Sequence, residues 1–152
     1  MSGSRIAVID TQQQHALDAV YRGTTFEVDH PEGRFGIRIG QTCARLDALL
    51  RQHAVTDWAF VTAWNPHSQS LPAVENARRH AALTTEVRAS GHACFAGRGR
   101  PETGDWLPEE SLLILGIAED DALRLAAQFG QNAIVAGVLE QPAELRWCEH
   151  AN

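Results

Sequence analysis

The residues in this chain best suited to chemistry fall in four separated stretches. One is Trp64-Asn65-Pro66-His67-Ser68, with Glu75-Asn76 close behind it. The second is Gly97-Arg98-Gly99-Arg100, the third Trp106-Leu107-Pro108-Glu109-Glu110-Ser111, and the fourth Gln131-Asn132. Amides, arginines, a carboxylate and two tryptophans make up a plausible wall set for a small-molecule site, because pockets combine apolar walls with a few convergent polar groups. Arg98 and Arg100 would neutralise an anion, and Asn65, Ser68, Asn76, Gln131 and Asn132 would orient it. Trp64 and Trp106 would form walls. Glu110, at the mouth of an apolar strand, would have its pKa raised by partial burial and so suit general acid or base work.

Other chemistries find less support. The 13 basic residues are all arginine. Without lysine there is no Walker-type phosphate loop, no Schiff base and no lysine general base. His92-Ala93-Cys94 and Cys148-Glu149-His150 are the close Cys/His pairs, and neither has a zinc spacing with a matching second half. No metal or cofactor is therefore expected. The zinc-deaminase pattern is absent, Ser68 and Ser111 lack a nucleophile elbow, and Cys94 reads as a small core residue. The Gly97–Arg100 run resembles a phosphate-cradling loop or an Arg-Gly segment. With a net charge of −6 and no ladder of stacking aromatics, a nucleic-acid partner is not expected.

Elements must bring these stretches together. The 152 residues, 44% of them hydrophobic, fit one domain with a full core. Three cysteines without a pairing pattern argue for a reducing compartment. No stretch reaches the length of a membrane span, and the first residues lack a signal-peptide pattern. The expectation is a cytoplasmic protein with no membrane partner.

The chain reads as a single domain made of an N-terminal extension (1–20), a helix/hairpin/helix segment (21–56), a β-α-β-β-α-β unit (57–137) and a tail or strand (138–152). A helix is expected around Thr11 to Arg22. A hairpin follows from Thr24–Asp29 and Phe35–Gly40, turning through His30-Pro31-Glu32-Gly33. Thr42 can cap a helix carrying Leu46, Leu49, Leu50 and His53. Strands are expected at Asp57–Ala63, His92–Ala96, Ser111–Ile117 and Gln131–Gly137, with another at Glu144–Trp147. A helix from Pro72 to Ser90 would turn Val74, Ala77, Ala81 and Val87 inward. A second helix, opened by Glu119, Asp120 and Asp121, would bury Ala122, Leu125, Ala126 and Phe129. Gly97 to Glu109 reads as a loop.

The order β-α-β-β-α-β over 57–137 makes the fold class α+β, with a ferredoxin-like unit. A three-layer Rossmann-like sheet is the alternative. In the ferredoxin-like order the first two strands run against the last two, so all four polar stretches share one sheet edge.

At these motifs the chain resembles a bacterial family catalogued as domain of unknown function 3293. The resemblance rests on Thr62-Ala63-Trp64-Asn65-Pro66, Glu75-Asn76, Gly104-Asp105-Trp106 with Glu110-Ser111, and Phe129-Gly130-Gln131-Asn132-Ala133. It spans about Tyr21 to Gly137 and implies shared fold and descent, with no activity attached. Two functions follow as expectations. The first is a domain binding a small anion such as a nucleotide or phosphorylated metabolite, with Glu110 transferring protons if it is an enzyme. The second is a protein-interaction or regulatory module, for which a homodimer through the sheet would be natural.

Overall fold

The computed structural model describes residues 10–102 and 107–149. Helix α1 (Thr11–Arg22) opens the described chain. Asp10 caps it, accepting a bond from Gln13 N while the Gln13 side chain accepts from Asp10 N, so two otherwise unpaired backbone donors are satisfied reciprocally. Strands β1 (Thr24–Val28) and β2 (Phe35–Ile37) form the hairpin, followed by α2 (Ala44–Gln52). Then come β3 (Asp57–Thr62), a 3₁₀ turn (Pro66–Ser68), α3 (Ala73–Ala89), β4 (Cys94–Pro101), β5 (Glu109–Leu115), α4 (Glu119–Gln128), β6 (Ala133–Val138) and β7 (Glu144–Trp147).

The seven strands make one sheet in the order β2-β1-β4-β5-β3-β6-β7, and every neighbouring pair is antiparallel. This α+β architecture rules out the Rossmann-like alternative, whose sheet is mostly parallel. Within it, β6-β3-β5-β4 are adjacent, and β3 and β4 run opposite to β5 and β6.

The sheet curls until its two ends meet. Ile39, just past β2, bridges Ala143, just before β7, and Gly40 N and Gln41 O bond the Ala143 backbone at 2.8 and 3.1 Å. One core fills the inside of the curl with Phe26, Val28, Ile37, Trp58, Phe60, Leu113 and Val135, joined by Leu46, Leu49 and Leu50 of α2. The other core lies on the opposite face. There α3 (Leu83, Val87) and α4 (Ala122, Ala126) cover Ala59, Val61, Leu112, Ile114 and Ile134. Each central strand is thus apolar on both faces, as a doubly covered sheet requires.

Local details depart from the expectations. Cys43, not Thr42, is the N-cap of α2, and it makes no side-chain capping bond. His53 ends that helix exposed. On α3 the buried residues are Asn76, Leu83 and Val87, and Val74 is 69% exposed. The weakly amphipathic, alanine-rich sequence leaves the helix phase open, and the inward face falls where Asn76 finds partners. The largest difference is β4. Gly97 to Pro101 is strand rather than loop, because β1 pairs with it from Thr24↔Pro101 to Val28↔Gly97.

Candidate functional site

The C-terminal end of β3 and the N-terminal ends of β5 and β6 meet at one mouth of the curl. Helix α1 stands across this mouth, contributing Leu17, Val20 and Tyr21 to a cavity of about 110 Å³. Its apolar floor includes Phe26 and Phe60, whose rings meet edge to face at 5.3 Å. Asn65, Ser68, Glu109, Ser111, Gln131 and Asn132 supply the polar wall. A more open chamber of about 380 Å³ adjoins it, lined by Trp64, Leu71, Asn76 and Leu107, and the two share Asn65, Ser70, Leu107 and Glu109.

Glu109 sits between the chambers. Alternation along β5 decides this: Leu113 and Leu115 face the inside of the curl, and Leu112 and Ile114 face the helices. Glu109 and Ser111 therefore point inward and line the cavity, while Glu110 is exposed on the opposite face. The carboxyl expected from Glu110 is supplied by its neighbour. Burial raises the Glu109 pKa above the ordinary carboxylate value, and the hydrogen bond from Asn65 partly offsets that rise. Burial first, and the Glu109 charge second, push the Tyr21 phenol strongly upward, with Cys148 adding to the shift.

The Asn65 side chain is held on three sides. Its Oδ1 accepts from Leu71 N at 3.0 Å and from Asn76 Nδ2 at 2.8 Å. Asn76, 2% exposed, returns an acceptor to Asn65 N at 2.9 Å. Because Leu71 N–H and the Asn76 amide both need an oxygen, the Asn65 amide has one orientation, and its Nδ2 donates to Glu109 Oε2 at 2.9 Å. The backbone here is strained: Asn65, His67 and Ser68 all have positive φ, at 48°, 57° and 61°. Such strain persists only where surrounding bonds over-determine it, and it concentrates at functional sites. Arg79 helps to impose it by donating to Ala63 O at 2.8 Å and to Phe129 O.

Gln131 is equally fixed. Its Nε2 donates to Trp64 O at 3.0 Å and Phe129 O at 3.3 Å, two carbonyls that only an NH₂ group can satisfy. Its Oε1 accepts nothing from the described residues. Asn132, 3% exposed, donates to Ser68 Oγ at 2.9 Å, and its Oδ1 is buried without a partner among the described residues. Trp64 walls the outer chamber, and its indole N–H is likewise buried and unpartnered among them.

The arginines do not join this site. Arg98 donates to Asp29 and Glu27, and Arg100 pairs with Glu27 at 3.3 Å. The alternation Gly-Arg-Gly-Arg on a strand sends the arginines to the outer face, where those acids wait, and turns the glycines inward. A Cβ on Gly97 would lie 2.2 Å from Glu27 O and 3.1 Å from the Phe60 ring. The glycines make room for β1 and Phe60 rather than for a phosphate. Trp106 lies outside the described residues. Among those residues, no group of three or more His, Cys, Asp and Glu could hold a metal, and no helix is long and apolar enough to cross a membrane. Cys43, Cys94 and Cys148 are free.

Residues 61–134 match the model of the family described as "Protein of unknown function (DUF3293)", a match that supports membership in that family. No curated protein and no solved structure matches it. The matched segment runs from the end of β3 to the start of β6. It therefore holds Asn65, Asn76, Glu109, Gln131 and Asn132.

Besides Glu109, Tyr21 is a site residue that the sequence reading passed over. Its only local signal is its place near the end of α1, just before β1. The long-range curl that carries α1 to the cavity leaves no mark on the residues around it.

Proposed function

We propose that this protein binds a small molecule in the mouth of its curled sheet, and that Glu109 is the group that engages it. The observation that carries this reading is a carboxyl drawn into an apolar cavity with no arginine beside it and Asn65 as its hydrogen-bond partner. Taking a carboxyl out of water is costly unless it is paired, and here the remaining capacity faces open volume. A carboxyl whose pKa is raised by burial is better suited to proton transfer than an exposed one, so Glu109 takes the acid/base role that sequence reasoning gave to Glu110. The inner cavity is smaller than a benzene-sized hole of about 150 Å³, so it would take one compact group, with the rest of the ligand in the outer chamber.

We also read β3-α3-β4-β5-α4-β6 as a ferredoxin-like unit. Its strand adjacency and the placement of both helices on one face support this. The interaction-module alternative would be favoured by a large exposed apolar patch, or by a flat, filled edge with every polar group satisfied internally. The edge is hollow and keeps unpartnered amide oxygens, which favours the ligand.

A thermal-shift panel of metabolites against wild type, Glu109→Gln and Arg98→Ala tests the reading. A ligand at 100 times its Kd adds about 2.7 kcal/mol, a readily measured shift. The expected pattern is a hit retained in Arg98→Ala and lost in Glu109→Gln. Hits that survive Glu109→Gln and vanish in Arg98→Ala would move binding to the outer arginine face and defeat it.

A further inference from the structure

We infer that the ligand of this cavity presents a primary ammonium group on a compact apolar body. The inference rests on the binding reading above and narrows it to one chemical class.

The amides and the carboxyl of the inner wall leave acceptors open. Gln131 Nε2 is committed to two carbonyls, which turns Oε1 free. Asn132 Oδ1 is buried and unpartnered among the described residues. Glu109 receives one bond, from Asn65. Three of the six wall hydroxyls spend their protons on backbone: Thr24 on Val20 O at 2.6 Å, Thr62 on Glu110 O at 2.7 Å and Ser111 on Glu109 O at 2.9 Å. Those of Tyr21, Ser68 and Ser70 can serve a ligand as donor or acceptor. Three open acceptors, one of them a carboxylate when ionised, match the three N–H donors of an ammonium.

Charge points the same way. The chain has no lysine, and no arginine lines either chamber. An anionic ligand would meet Glu109 with nothing to offset the repulsion. A cation would supply the countercharge that Glu109 lacks and convert an uncompensated buried carboxyl into a charge-assisted pair. The aromatic floor of Phe26 and Phe60, with Tyr21 at the side, is also a favourable surface for a cation. It would seat the apolar body by burial.

Isothermal titration calorimetry with three isosteric probe sets tests this directly. The probes are benzylammonium and isobutylammonium, the neutral benzyl alcohol and isobutanol, and the anions benzoate and isobutyrate. Each is titrated into wild type, Glu109→Gln and Gln131→Leu. The expected result is binding of an ammonium at least tenfold tighter than its alcohol, with no carboxylate binding. Glu109→Gln should weaken the ammonium at least tenfold, and Gln131→Leu should do so to a smaller degree. Two substitutions at separate positions protect against one variant misfolding, which its own melting curve reveals. Alcohol or carboxylate binding equal to the ammonium, but lost in Glu109→Gln, would overturn the ammonium class and keep the cavity as a binding site. Ammonium binding unaffected by either substitution would overturn the class as well. If no probe of any class binds a folded wild-type protein, both the class and the underlying binding reading fall.

Discussion

Asn65 Nδ2 donates to Glu109 Oε2 at 2.9 Å across 44 residues of chain. This bond joins the end of β3 to the start of β5. It fixes one oxygen of a carboxyl that lines both chambers. The Asn65 amide is in turn fixed by Asn76 and Leu71, so the orientation of Glu109 depends on an asparagine on α3 that never touches it in any bond described above.

Asn76→Asp should expose that dependence. It replaces an NH₂ that donates to Asn65 Oδ1 and Leu71 O with an oxygen. Two buried acceptors would then face each other, and the protein should lose about 1–3 kcal/mol. Urea unfolding measures this. Any ligand that depends on Glu109 should bind more weakly to the folded variant, because Asn65 would no longer be held.

The pH dependence of stability should carry the mark of Glu109. Its folded pKa is raised, chiefly by burial, so the native state holds the proton more tightly than the unfolded chain. Stability from this group is therefore fully present below the unfolded value of about 4.3. It is lost as pH rises through the folded value. Tyr21 is the titratable neighbour coupled to it and remains a neutral phenol throughout. Glu109→Gln, which cannot ionise, should gain stability relative to wild type as pH rises across that window, with a constant difference above it. Melting temperatures of the two proteins between pH 4 and pH 8 decide the matter. A difference independent of pH would contradict it.

Two glycines on β4 should respond in opposite ways. Gly97→Ala sets a Cβ 2.2 Å from a backbone oxygen of β1 and should cost at least about 2 kcal/mol, since backbone must move. Gly99→Ala meets its nearest neighbour at 3.5 Å, ordinary contact. Within a strand it should be neutral or stabilising by a few tenths of a kcal/mol, as alanine loses less backbone entropy on folding than glycine. Denaturant midpoints separate the two.

Cys148 should resist alkylation. It is 8% exposed, and burial pushes its thiol up to about 11, so little thiolate forms at pH 8. Cys43 and Cys94 are more exposed. Mass-resolved iodoacetamide labelling of the native protein should modify Cys148 last, and modification of Cys148 first would contradict its placement.

Most of the element order was legible because local rules speak plainly in this chain. The expected helix at Thr11–Arg22 and strand at Glu144–Trp147 coincide with α1 and β7. The shared edge of Asn65, Asn76, Gln131 and Asn132 was legible from strand order alone. The failures have specific causes. Because β5 is apolar on both faces, its alternation carries no signal for which of Glu109 and Glu110 points inward. Gly97–Arg100 has the composition of a loop, and only its pairing with β1 makes it a strand that turns both arginines outward. The curl that carries Tyr21 to the cavity depends on the bridge between Ile39 and Ala143, 104 residues apart, and no local pattern reports it.

The central claim is that a small molecule sits against Glu109 at the mouth of the curled sheet. Soaking crystals of the protein with a library of amine, alcohol and carboxylate fragments tests it most directly. The account predicts fragment density in the cavity, with a nitrogen within hydrogen-bonding distance of Glu109 and Gln131. Fragments gathered on the outer face around Arg98 and Arg100, with the cavity empty across the library, would contradict it.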